Sequence, residues 1–313
     1  MPAAADAHLH DVRRGLLLGL LGVSIFALSI PMTRLASGST ADPQLPPMFV
    51  AFGRAALAGL CALVYLAVTR WRRPATTVVS RAAPGDRLAL LLNALGTVIG
   101  WPVFLGLAVR EVEGAHASVI SGVLPLATAA IAAWRLRQRP SHGFWLAAWL
   151  GCALVLAFAL LRGWQSRGAI HVSWADGLLL LAVLSAAGGY VSGARLTARL
   201  GAEEVIGRVL ILSLPVTLPL AGWFWPELPA SASAWAGFLY VAVFSQWLGF
   251  FAWYRALAAG GTVRVSQVQL LQPFLSLLFC VPVLGESLDA TMIGFSLAII
   301  ATVAWSRRQA VHR

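Results

Sequence analysis

Apolar residues in this chain neither alternate nor gather on one helical face. They come in runs of about twenty, long enough at about 1.5 Å of rise per residue to cross a bilayer core of roughly 30 Å. Ten such runs predict ten spanning helices: Gly15 to Leu35, Pro47 to Thr69, Leu88 to Val109, Ala115 to Trp134, Gly143 to Leu161, Gly177 to Leu196, Val205 to Trp223, Trp235 to Leu257, Thr262 to Leu284 and Leu288 to Trp305. The connections are short, and no stretch is left over for a separate soluble domain. The expected class is an all-α integral membrane protein.

The polar positions that break these runs carry the next inference. In the third run Asn93 interrupts the apolar sequence, and Gly96, Gly100, Trp101 and Pro102 sit in its middle. Pro102 removes a backbone donor and so frees a carbonyl that a neighbour or cavity water has to satisfy. In the fourth run Ser118, Ser121 and Pro125 share a face, and in the ninth Ser266, Gln269, Gln272 and Pro273 form a polar stripe. The eighth run carries Gln246 and Trp247. Arg54 and Arg208 each follow a glycine inside an apolar window. For Arg54 two readings stand, a side chain facing a cavity and one snorkelling to the interface.

The ninth run and the end of the eighth echo an earlier stretch. Ala108, Ser118, Pro125 and Leu136 recur 148 positions later as Ala256, Ser266, Pro273 and Leu284, and the turn Glu113-Gly114 falls near Gly260-Gly261. Gly15 to Leu18 is likewise echoed by Gly177 to Leu180. The predicted organisation is a tail over 1–14, a five-helix repeat over 15–161, a linker over 162–176, a second five-helix repeat over 177–306 and a tail over 307–313. Because each repeat holds an odd number of spans, the second is inverted relative to the first, the arrangement of many secondary transporters, with the substrate held near the midplane between the halves.

Composition agrees with the pattern: 59% of residues are apolar, 11% are charged, and mean hydropathy is +0.79. The net charge of +11 would point to nucleic acid in a soluble protein. Here every basic residue is Arg, and 17 of the 23 lie on the side of the membrane that holds both termini, against four on the other side and two, Arg54 and Arg208, within the windows. That bias is a topology signal. It excludes a nucleic-acid partner as the reading of the charge and places both termini in the cytoplasm. Abundant Ala, Leu and Arg without Lys indicate a GC-rich bacterium, hence the inner membrane. Cys61, Cys152 and Cys280 lie far apart in separate runs and make neither a disulfide framework nor a metal site.

The paired five-span halves, Arg54 early in a second span, the Ala-Leu closing the eighth span and above all Ser266, Pro273 and Leu284-Gly285-Glu286 resemble the drug/metabolite transporter (DMT) superfamily, in particular its ten-span EamA-type exporters. The resemblance covers nearly the whole chain. It implies export of amino acids, related metabolites or toxic compounds through a central cavity lined by the third, fourth, eighth and ninth spans and their neighbours. One departure stands out: where the family commonly has a Gly-Glu pair at the end of the fourth span, this chain has Arg137-Gln138.

The expected substrate-facing residues are therefore Asn93, Trp101, Ser118, Ser121, Gln246, Trp247, Ser266, Gln269 and Gln272. Arg54, Arg208, Pro125, Pro273 and Glu286 are structural or gating candidates. Beside the cavity reading stands another, in which such serines and amides bridge helices at about 1 kcal/mol or less. Two amides on one face, Gln269 and Gln272, fit the cavity better; the serines fit helix bridging. His116, at the outer end of its run, reads as interfacial. None of the twelve acids falls in the interior of a run, which argues against a buried carboxylate proton relay. No H-E-x-x-H, G-x-S-x-G or Walker sequence occurs, so an enzyme is not expected, and neither is a cofactor or metal. The expected function is a secondary transporter, an exporter of a small organic metabolite by alternating access, its partners the substrate and the lipid bilayer. A receptor or scaffold without flux, or an integral membrane enzyme, are the alternatives, and a transport assay separates them.

Overall fold

The computed structural model describes residues 2–72, 85–135, 139–167, 173–260, 268, 271–308 and 311–312. Among the described residues eight helices are long and apolar enough to cross a membrane: α1 (Gly15–Ser37), α2 (Pro47–Trp71), α3 (Asp86–Glu111), α4 (Gly114–Arg135), α5 (His142–Leu161), α6 (Trp174–Thr197), α7 (Ala202–Trp223) and α8 (Ala232–Ala256). Two shorter apolar helices follow, α9 (Gln272–Leu284) and α10 (Ala290–Trp305). Several of these helices run on past their apolar spans, the first starting at Pro2, and the described residues also hold a two-residue antiparallel pairing of Arg139–Pro140 with Val311–His312 and a bridge between Gly38 and Pro43. The expected span from Thr262 lies partly outside the described residues, and with it Ser266 and Gln269. The same holds for Arg137-Gln138.

The sequence dictates the exteriors of these helices. Leu17, Leu21, Leu63, Val64, Leu146, Leu184 and Leu297 remain exposed on the bundle, as lipid-facing side chains must be when the solvent is as apolar as they are. Trp71, Trp134 and Trp223 stand almost fully exposed near the ends of α2, α4 and α7, where an indole places its ring in the interface and its N–H in water.

Packing follows a single scheme. α1 lies along α8, α2 along α7, α3 along α6, α4 along α9, and α5 along α10. Exchanging the first five helices with the second five leaves this scheme unchanged, since α1 with α8 becomes α6 with α3 and the other pairs map onto themselves. Small residues allow the closest of these approaches. Where α3 crosses α6, a Cβ added to Gly96 would lie 2.8 Å from the Cα of Gly189, closer than real Cβ contacts come. Only glycine fits on either side of that crossing.

Two helices contain π turns. Ala94–Gly100 within α3 and Tyr240–Leu248 within α8 are π-helical. A π turn widens the helix by a residue and leaves carbonyls mismatched with their usual donors, and such turns recur at functional sites. α3 and α8 are the third helices of the first and second groups of five, and their wide turns face each other across the middle of the bundle, where Gln246 of α8 meets Thr97 of α3.

Candidate functional site

The π turns border a small cavity with free room for about one or two water molecules in this conformation. Phe26 and Ser29 of α1, Arg54 of α2, Thr97 and Trp101 of α3, Ala186 and Tyr190 of α6, Ser245, Gln246 and Phe250 of α8, and Gln272 of α9 line it. Both groups of five helices contribute to the wall.

The winding of α3 explains one polar contact there. In the π register the Trp101 N–H donates to the Gly96 carbonyl, and the next residue is Pro102, which has no N–H to give to Thr97. The Thr97 carbonyl is therefore left over. Gln246 fills that role, its Nε2 donating to Thr97 O at 3.4 Å. Gln246 is 2% exposed and Thr97 is buried, so the amide replaces a backbone donor that the sequence removed.

A second chain of hydrogen bonds has the same origin. Pro31 in α1 cannot donate to the Ala27 carbonyl four residues back. The neighbouring ladder is intact, with Leu28 N donating to Ser24 O and Met32 N to Leu28 O. Ser276 of α9 supplies the missing donor, its Oγ lying 2.7 Å from Ala27 O. Ser118 of α4 in turn lies 3.1 Å from Ser276 Oγ and 2.8 Å from Gly114 O. These serines tie α1, α4 and α9 together beside a second cavity, lined by Ile30, Ser118, Ser121, Leu124, Pro125, Gln272, Pro273 and Ser276. Ser121 Oγ, buried there, meets no partner on the protein.

Arg54 is the dominant electrostatic feature. Its side chain is 1% exposed and reaches the cavity, so of the two readings of its sequence position the cavity-facing one holds. Nη2 donates to Ser245 Oγ at 2.9 Å, and Ser245 Oγ lies 2.6 Å from Ser29 Oγ. Nε and Nη1 are buried without an acceptor on the protein. No Asp or Glu lies among the described lining residues.

The other predicted residues divide clearly. Trp101, Gln246 and Gln272 share the Arg54 cavity, and Gln272 also borders the second one, its Oε1 buried and unpartnered. Asn93 lies off both linings: its Oδ1 accepts from Thr97 Oγ1 at 2.7 Å, and its amide packs against Gly193. Trp247 also lies off them, stacked edgewise on Tyr65 and Phe251. Arg208 does not repeat the placement of Arg54; its Nε bonds Glu204 at 2.8 Å, and Glu204 also takes Arg70 at 2.7 Å, bracing α2 against α7. Glu286 reaches from beyond α9 to the start of α4, where its two oxygens accept from Gly114 N at 2.8 Å and Ala115 N at 2.7 Å.

His116 requires correction. Expected at the interface, it is buried, with Nε2 2.7 Å from Asp176 Oδ1 and its ring against Phe158. Asp176 sits in the first turn of α6, where its other oxygen accepts from Ser173 N at 3.1 Å. The polarity of that helix start, read alone, gave no sign of its partner 60 residues away. Sequence reasoning also passed over Ser29, Tyr190 and Ser245. The signals were present as a serine just before Pro31, a tyrosine beside Gly188-Gly189, and a serine adjoining Gln246.

Comparison with known proteins agrees with this architecture. The profile of the EamA-like transporter family matches twice, over residues 13–161 and 173–307. The "Uncharacterized transporter YdeK" of Bacillus subtilis (strain 168) is 38% identical over 306 residues, covering 96% of this chain and 99% of its own. A solved crystal structure of a protein superimposes with a TM-score of 0.61 at 16% identity, over 94% of this chain and 97% of that one, a likeness of fold.

Proposed function

Since the chain belongs to the EamA-like transporter family and is an integral membrane protein, we propose that it is a ten-span carrier that exports a small organic metabolite by alternating access. Its halves, 15–161 and 177–306, lie inverted about the linker 162–176, and the tails 1–14 and 307–313 face the cytoplasm from the inner membrane of a bacterium. The observation that carries this reading is the cavity walled by both groups of five helices, with a π turn from each at its edge. The packing scheme, unchanged when the halves are exchanged, supports the duplication. Substrate occupies the central cavity beside Trp101, Gln246 and Gln272, while Ser118, Ser121 and the two prolines Pro125 and Pro273 shape the adjoining space between α4 and α9.

Rocking of one half against the other would open that space to each side in turn. With no acid among the described lining residues, transport follows the solute gradient or couples through something other than a buried carboxylate. The experiment is counterflow of a labelled metabolite panel in proteoliposomes, combined with Ala186→Cys and Gln272→Cys in a background without the native cysteines. Flux with thiol labelling that alternates between the two faces is expected. Labelling from one face alone under every condition refutes alternating access, and strict dependence on an imposed pH gradient refutes the uncoupled mechanism.

A further inference from the structure

We infer that the central cavity takes a small organic monoanion and that Arg54 is the residue that binds its carboxylate. The inference rests on the carrier reading above and names the substrate class of the same site.

A guanidinium presents five N–H groups in a planar fork and keeps its charge under all ordinary conditions. In Arg54 one of these reaches Ser245, while Nε and Nη1 meet no acceptor on the protein. A charge so placed is costly in the middle of a membrane protein unless an opposite charge compensates it. The described lining residues offer hydroxyls, amides and rings, but no carboxylate. The missing charge is therefore one that a ligand brings, and the free N–H groups on Nε and Nη1, which lie on different edges of the planar fork, give a carboxylate charge-assisted donors to bond.

The cavity also constrains the rest of the ligand. The one cation among the described lining residues balances one negative charge; a phosphate dianion would bring a second one. No acid stands among the described lining residues to neutralise an ammonium group, so an anion fits better than a zwitterion or a cation. Phe26, Phe250 and Trp101 present ring surface beyond the guanidinium, and Phe26 and Phe250 already meet edge to face at 5.0 Å. The body that follows the carboxylate is thus apolar and flat.

The test uses matched pairs that differ only in charge, benzoate with benzamide and 3-phenylpropionate with its amide, together with inorganic phosphate. Thermal unfolding of the purified full chain in detergent reads binding, and proteoliposome flux of the same compounds reads transport. A carboxylate is expected to raise the midpoint where its amide does not. Arg54→Gln is expected to weaken that carboxylate at least tenfold, which corresponds to about 1.4 kcal/mol, and to remove its advantage over the amide. Arg54→Lys is expected to retain part of the preference. Should Arg54→Gln fail to fold, Ser245→Ala carries the test, because losing the group that holds Nη2 should weaken the carboxylate and leave the amide unchanged. The inference is overturned if no carboxylate is preferred to its amide, if the preference survives in folded Arg54→Gln, or if phosphate alone stabilises. Flux of a neutral compound that ignores Arg54 overturns it while leaving the carrier standing; absence of flux for every solute of a broad metabolite panel overturns the carrier reading itself.

Discussion

Removing the Ser276 hydroxyl should destabilise the protein only because of a proline 245 positions earlier in the chain. Ala27 and Ser276 are both buried, and the Ala27 carbonyl has the serine as its donor because Pro31 lacks an N–H. Ser276→Ala strands that carbonyl, a loss of about 1–3 kcal/mol for an unsatisfied buried acceptor. Hydrogen bonds between membrane helices average nearer 0.6 kcal/mol, which sets the lower bound. Pro31→Ala restores the donor from within α1, since the bonds from Leu28 and Met32 on either side show the ladder already in α register. In that background Ser276→Ala is expected to cost almost nothing, so the coupling in a double-mutant cycle should approach the single-mutant cost, about 0.6–3 kcal/mol. Unfolding of the four purified variants in mixed dodecylmaltoside and SDS micelles provides the measurement. An equal cost of Ser276→Ala with and without Pro31 refutes the reasoning, for it would mean that the serine acts through Ser118 or through packing alone.

Other expectations are as direct. Glu286→Ala removes two hydrogen bonds from backbone donors at the positive end of α4 and should lower stability by about 1–3 kcal/mol in the same assay, with Glu286→Gln intermediate because its amide has one acceptor oxygen. Gly189→Leu should reduce the yield of folded, monodisperse protein on size exclusion far more than Gly188→Leu, because a Cβ at Gly189 meets Thr97 backbone at 3.0 Å whereas one at Gly188 meets nothing within 4 Å. Asp176→Leu should cost about 1–3 kcal/mol by leaving the buried His116 ring nitrogen without its partner, and His116→Leu combined with it should restore much of that loss.

Eight of the ten expected spans have counterparts of spanning length among the described residues, legible because burial in lipid imposes one rule on such a helix: enough apolar length, with arginine at the ends. α2 begins at Pro47 and α7 ends at Trp223, as their windows predicted. The site was legible only in part. Gln246, Trp101 and Gln272 announced themselves as polar or bulky groups too deep for an interface, and they do meet at one cavity. Asn93 carried the same signal yet bonds within α3 and packs on Gly193, since periodicity fixes the depth of a residue but not which neighbour stands opposite. The likeness of Gly53-Arg54 to Gly207-Arg208 misled in a related way. Arg208 has Glu204 one turn back on its own helix and Arg54 has no acid within reach there, so equal spacing in sequence led to an ion pair in one case and a cavity in the other. The π turns left no mark in the apolar pattern.

ALGTVIG in α3 and YVAVFSQWL in α8 share almost no chemistry, yet both are wound one residue too loosely at corresponding places in the two matched regions. What the two copies hold in common at the heart of the protein is thus a shape of main chain and not a set of side groups. Such a frame can accept new side groups on its inner surface without being rebuilt, so a relative adapted to different cargo should differ first at Thr97, Ser245 and Gln246 while keeping both loosened coils.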